Sequence, residues 1–233
     1  MNIGGIEKFS LIDYPGKISA IVFTQGCNFR CGYCHNPELV FPSLFRSSIS
    51  EENVFSFLKK RIGKIQALVI TGGEPTIQED LIDFIKKVKQ LGFLVKLDTN
   101  GSNPKVIKEI IKAKLVDYIA MDIKSSLNKY QKVVCVLNNL ENVKKSIKLI
   151  MNSGIDYEFR TTVIKSQISK KDFISIGKLI KGAKLYALQK FIIPPEYKIN
   201  NISFLREKTY SDEEFEEIKK TLLPYVKKCI LRI

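Results

Sequence analysis

The chain has no apolar run near the roughly 18 residues needed to cross a bilayer, and Met1 to Glu7 lacks a basic start followed by a long apolar stretch. A transmembrane segment and a secretory leader are therefore not expected, and a cytoplasmic protein is. No Pro/Gly/Ser-rich linker divides the 233 residues, so one folding unit is expected over 1–233. Disulfide-framed folds are disfavoured as well. The five cysteines are odd in number, three fall within eight residues (Cys27, Cys31 and Cys34), and Cys135 and Cys229 stand alone. A reducing compartment, with the clustered thiols as metal ligands, fits better, and the two isolated cysteines read as small core residues. Only one histidine is present, His35, directly beside Cys34.

With 45% hydrophobic and 27% charged residues, the composition is that of a globular protein with a full core. Net charge is +14. The lysines fall on every predicted helix, as Lys59/Lys60, Lys86/Lys87, Lys144/Lys145 and Lys219/Lys220. No aromatic residues interleave with them, which favours a generally basic surface over a nucleic-acid stripe.

Short apolar runs rich in β-branched residues predict strands at 18–24, 67–71, 94–98, 118–123, 157–163 and 185–193. Helical periodicity fills the gaps at 51–59, 80–91, 104–113, 140–152 and 172–180, with a Ser48/Glu51 capping signal before the first. Strand–helix alternation requires parallel strands joined by right-handed crossovers. The segment 5–10 is expected to pair with 18–24 through the turn at Tyr14–Lys17, and a helix capped by Ser211 is expected over 211–226. The fold class is α/β, an incomplete (β/α)6 barrel with a short N-terminal hairpin and a C-terminal helix.

Parallel α/β folds bind ligands at the carboxyl ends of their strands. The unusual residues of this sequence fall there: Cys27–Asn36 after the first strand, Gly72-Gly73-Glu74-Pro75 after the second, Asp98-Thr99-Asn100-Gly101 ending the third, Asp122-Ile123-Lys124 ending the fourth and Arg160 in the fifth. The spacing C-x3-C-x2-C lets three thiolates of one loop reach one metal centre. A closed zinc site needs a fourth ligand, which His35 is awkwardly placed to supply. A [4Fe–4S] cluster held by three cysteines leaves one iron open. Gly72 and Gly73 permit close backbone approach to a ligand, and Glu74 could accept from an ammonium group.

C-x3-C-x2-C with an aromatic residue before its last cysteine, followed by Gly-Gly-Glu-Pro, resembles the radical S-adenosylmethionine (SAM) enzymes over nearly the whole chain. Tyr33-Cys34-His35-Asn36-Pro37, Leu97-Asp98-Thr99-Asn100-Gly101 and Met121-Asp122-Ile123-Lys124 are similar to phrases of the organic-radical activating enzymes, which activate pyruvate formate-lyase or anaerobic ribonucleotide reductase. The resemblance implies a [4Fe–4S] cluster on Cys27, Cys31 and Cys34, and SAM bound by Tyr33, Cys34, His35, Gly72, Gly73, Glu74, Asp122, Lys124 and Arg160. It also implies a monovalent cation held by Asp98, Thr99 and Asp122 with the Ala120 carbonyl. The implied reaction is reductive cleavage of SAM to a 5′-deoxyadenosyl radical, which takes a glycine Cα hydrogen from a partner glycyl-radical enzyme. The nearer likeness, through Ile6 to Gly16, is to the activators of anaerobic ribonucleotide reductase, and the implied electron donor is reduced flavodoxin or ferredoxin. The SAM-contacting histidine that pyruvate formate-lyase activators carry near the last strand has no counterpart here. Two alternatives stay open: a small-molecule radical enzyme like 7-carboxy-7-deazaguanine synthase, and a zinc-stabilised binding module. The stretch from Pro194 to Lys208 reads as a substrate-facing loop.

Overall fold

The computed structural model describes residues 1–137, 140–192 and 210–232. Eight strands form one sheet in sequence order: β1 (Ile3–Ser10), β2 (Ser19–Thr24), β3 (Ala67–Gly72), β4 (Leu94–Thr99), β5 (Tyr118–Asp122), β6 (Asp156–Val163), β7 (Tyr186–Lys190) and β8 (Cys229–Arg232). β1 and β2 are the expected antiparallel hairpin, and every later neighbour is parallel. The crossovers carry α1 (Glu51–Lys59), α2 (Leu81–Gln90), α3 (Pro104–Lys112), α4 (Tyr130–Val134) with α5 (Leu140–Met151), α6 (Lys170–Leu179) and α7 (Asp212–Leu222). No described helix is long and apolar enough to cross a membrane. The stretch from Pro194 to Lys208 lies outside the described residues.

Local signals start the helices where the sequence offers them, with some changes of partner. Ser211 and Glu214 form the capping box of α7. α1 is capped by Ser50, whose hydroxyl accepts from Asn53 N at 3.2 Å, whereas Ser48 bonds to Asn2. Two elements were not expected. The tail helix ends at Leu222 instead of Val226, and the chain turns back to add β8 beside β7. The short α4 precedes Cys135, which is exposed and left-handed (φ 55°) and so is not a core residue, while Cys229 is buried as expected.

Alternation along the strands divides the interior in two. Val22, Leu68, Ile70, Val95, Leu97, Ile119, Met121 and Phe159 pack with the buried helix residues Val54, Leu58, Phe84, Ile107, Ile110 and Ile147 in the main core. Each such side chain contributes roughly 1.5–3 kcal/mol by leaving water. The opposite face looks into the barrel, where Ile21, Ala67, Val69 and Ala120 pack around Tyr14 and Tyr118. The Tyr14 ring, carried in from the β1–β2 connection, lies 5.7 Å from that of Tyr118 and floors the barrel. Above this floor the inward positions turn polar.

Candidate active site

The loop after β2 brings Cys27, Cys31 and Cys34 to one cavity of about 230 Å³ at the carboxyl rim. It is held by its own backbone. Arg30 donates from Nη1 to the carbonyls of Cys27 (2.5 Å) and Phe29 (2.8 Å), and its N–H donates to Val134 O (2.9 Å). Phe29 is buried edge-on against Tyr130. No disulfide joins the cysteines. Burial pushes the Cys27 thiol up to about 11 and Cys31 up to about 12, and raises Cys34 as well. The thiols are therefore protonated in the metal-free protein and release protons when they ligate.

The second wall is backbone. Gly73 N donates to Thr24 O and Glu74 N to Gly26 O, both at 2.8 Å, which seams the ends of β2 and β3. A Cβ on Gly73 would sit 2.0 Å from Gly26 O, and Gly72 adopts φ +109°, so neither position takes another residue without moving main chain. Both Glu74 oxygens are engaged: Oε1 accepts from Thr76 Oγ1 (2.5 Å), Thr76 N (3.1 Å) and Thr99 Oγ1 (2.7 Å), and Oε2 from Asn100 N (2.6 Å). Burial raises its pKa, against the pull of these donors. Glu74 thus braces the β3 rim to the β4 rim.

Asp98 and Asp122 are brought together as expected, but the positive charge between them is covalent. Arg160 donates from Nη1 to Asp98 Oδ2 and from Nε to Asp122 Oδ1, each at 2.9 Å. Lys96 pairs with the other oxygen of Asp98 (2.5 Å) and Lys124 with that of Asp122 (3.0 Å). At the positions expected to hold a monovalent ion, Asp98, Thr99 and Asp122, this arrangement sets the Arg160 guanidinium between the two carboxylates and turns the Thr99 hydroxyl to Glu74. Burial alone would raise both acids; Arg160 with Lys96 holds Asp98 below its ordinary value, and Arg160 with Lys124 does the same for Asp122.

Tyr33 and His35 close a third side. The His35 ring lies 4.6 Å from Phe191, with Nε2 3.1 Å from Ile192 O, and burial lowers its pKa. Tyr33 meets Phe191 edge-on at 6.3 Å; its hydroxyl is buried and has no hydrogen-bond partner among the described residues. All the expected site residues line this one cavity except Ala120, which packs in the lower apolar cluster. Sequence reasoning passed over Lys96, Phe191 and the net in which Asn28 accepts from Asn100 (2.9 Å) and donates to Ser102 (2.8 Å). Period two from Asp98 would have found Lys96 on the same face; nothing local marked Phe191.

A partial parallel barrel with a three-thiol loop and a glycine-lined rim at its carboxyl end defines an enzyme of radical chemistry. The Radical SAM superfamily profile matches residues 21–177, and the chain belongs to that superfamily. It is 36% identical over 235 residues to a protein of Methanocaldococcus jannaschii named as a glycyl-radical enzyme activating enzyme, covering 99% of this chain and 95% of the relative. Pyruvate formate-lyase-activating enzyme of Clostridium pasteurianum is 29% identical over 78% of this chain and 77% of its own. SuiB of Streptococcus suis, solved with S-adenosylmethionine, superposes with TM-score 0.68 at 14% identity, covering 91% of this chain and 49% of SuiB. The superfamily implies a [4Fe–4S] cluster and SAM, and the site fits both: three half-buried thiols on one cavity, a glycine rim no side chain could enter, and an orphan buried hydroxyl beside it. Among the described residues no group of three or more His, Cys, Asp or Glu side chains is gathered around a single point; a polynuclear cluster spaces its ligands with its own irons and sulfides.

Proposed function

We propose that the chain is a glycyl-radical enzyme activating enzyme whose partner is an anaerobic ribonucleotide reductase and whose electron donor is a reduced flavodoxin or ferredoxin. The observation that carries this reading is the convergence of Cys27, Cys31 and Cys34 with the Gly72–Gly73 rim on one cavity, in a chain aligned end to end with an activating enzyme. When bound, the reduced cluster supplies one electron and SAM the carbon–sulfur bond it breaks, giving a 5′-deoxyadenosyl radical. The residues of the chain bind and shield. Cys27, Cys31 and Cys34 hold three irons, and the peptide groups of Gly72 and Gly73 receive the amino end of SAM, with Glu74 fixing the rim's shape. Lys124 and Arg160, already neutralised by Asp122 and Asp98, give the carboxylate and ribose a donor surface with little net charge. Tyr33 and His35, backed by Phe191, form the adenine side.

The test is electron paramagnetic resonance of the reconstituted, reduced protein with SAM and a candidate glycyl-radical enzyme. A glycyl doublet on the partner is expected. SAM cleavage without any protein radical would favour a small-molecule substrate instead, and absence of SAM cleavage would overturn the reading.

A further inference from the structure

Outside the site, α3 and α5 pack side by side and leave between them an open groove of about 840 Å³. Its floor is apolar, from Ile111 and Leu149, and its walls carry Lys105 and Lys108 on α3 and Lys145 and Lys148 on α5, all four exposed. No acidic side chain lines it. None of the four lysines makes an ion pair among the described residues. Glu141, which feels Lys145 and Lys148 at longer range, is paired with Lys144 at 2.7 Å. The other packed helix pair behaves differently: across α6 and α7, Lys170 meets Glu217 at 2.9 Å, and Lys165 just before α6 meets Glu214 at 2.8 Å. Four uncompensated cations around an apolar strip form a surface complementary to an acidic protein.

The groove also reaches the thiol loop. Asn142, on its α5 wall, donates to Ser102 O at 3.1 Å; Ser102 Oγ accepts from Asn28 at 2.8 Å; and Asn28 follows Cys27 in the chain. Hydrogen bonds through Asn142, Ser102 and Asn28 thus connect the groove to the residue next to the first thiol.

We infer that the α3–α5 groove is the docking surface for an acidic one-electron carrier protein, and that the Asn142–Ser102–Asn28 connection couples it to the cluster loop. This rests on the function proposed above, which requires an electron from outside. In the step assigned here the carrier loses one electron and the protein's cluster gains it, with no bond made or broken in the groove. A substrate protein would have to present its reacting residue at the cavity, whose lining shares no residue with this groove.

The probe is an acidic flavodoxin in its hydroquinone form. Two charge-reversal variants, Lys105→Glu with Lys145→Glu and Lys108→Glu with Lys148→Glu, alter exposed positions only, and Lys→Gln pairs at the same sites give a graded series. Each variant is expected to raise the KM for flavodoxin in SAM cleavage at least about tenfold and to flatten its salt dependence. Binding of oxidised flavodoxin to the cluster-free protein should weaken in parallel. It is compared near 0.01 M salt, where the screening length is about 30 Å, and near 0.15 M, where it is about 8 Å. Dithionite-driven SAM cleavage should not change, nor should any of these readouts in the control Lys171→Glu with Lys220→Glu. Unchanged flavodoxin KM and binding would overturn the proposal, as would an equal loss in the control. Intact flavodoxin use with lost radical transfer to the glycyl-radical enzyme would also overturn it, by assigning the groove to that partner. If the unmutated protein cleaves no SAM with dithionite, the functional reading fails first and takes this inference with it.

Discussion

Removing the Arg160 guanidinium tests the claim that a side chain, not a bound ion, balances the two carboxylates. Arg160→Met keeps the length and apolar stem of the residue but deletes both 2.9 Å contacts. Breaking a buried pair by removing one partner costs about 3–5 kcal/mol when the survivor is left uncompensated. Here each survivor keeps one cation, Asp98 its Lys96 and Asp122 its Lys124, and Arg160 retains 13% side-chain exposure. The expected loss therefore falls below that range, about 2–3 kcal/mol, read as a shift in urea midpoint of the cluster-free protein at unchanged m-value. At roughly 2–4 °C per kcal/mol for a chain of this size, the melting temperature should fall by some 4–12 °C. Adding Asp98→Asn should return part of the loss, with a coupling of roughly 0.5–3 kcal/mol from the double-mutant cycle. Loss under about 1 kcal/mol with no coupling would refute the reasoning. So would stabilisation of the parent by sodium or potassium chloride beyond that given by the same concentration of tetramethylammonium chloride, since a small ion would then already sit between the carboxylates.

Gly73→Ala should abolish SAM binding in equilibrium dialysis and lower stability, because its Cβ would meet Gly26 O at 2.0 Å and only main chain could yield. Alanine at any one of Cys27, Cys31 and Cys34 should remove most iron and the visible absorbance after anaerobic reconstitution, whereas Cys135→Ala, an exposed change, should leave both intact. Asp172 accepts from Lys129 (2.6 Å), Ser126 (2.7 Å) and Ser169. Burial works against its charge, but these donors hold its carboxyl well below the usual range. A depressed folded-state pKa stabilises above the unfolded value near 4 and is lost as pH falls through the folded one. Asp172→Asn should therefore cost about 1–2 kcal/mol at pH 7, with the difference shrinking steadily as pH falls below about 4, and a constant difference across that range would count against the assignment.

The fold was legible where two independent signals agreed. Most of the six core strands fell on short apolar runs, and most chemistry-bearing phrases fell at a strand end, so strand order and rim could be read together; β7 (Tyr186–Lys190) carries no β-branched residue and Arg160 lies inside β6. β8 escaped because Cys229–Arg232 is only four residues long, too short for alternation to register, and is defined by its pairing with β7. Cys135 was misplaced because a cysteine's burial depends on the turn that carries it, here a left-handed cap after α4. At the site, residue identities were legible but partners were not. Sequence shows that Asp98, Asp122 and Arg160 share a rim; only the register Asp122↔Arg160, with β4 one strand further, puts a guanidinium within reach of both acids.

The tyrosine pair at the base of the barrel has a consequence for the N-terminal hairpin. Since Tyr14 arrives from the β1–β2 connection and rests on Tyr118, the first strands act as a stopper. Among the described residues, the ring pair closes the base of the barrel, opposite the rim that carries the cavity. A chain trimmed past Tyr14 would leak at the wrong end, and an uncoupled reaction that consumes SAM without delivering its radical would be the symptom.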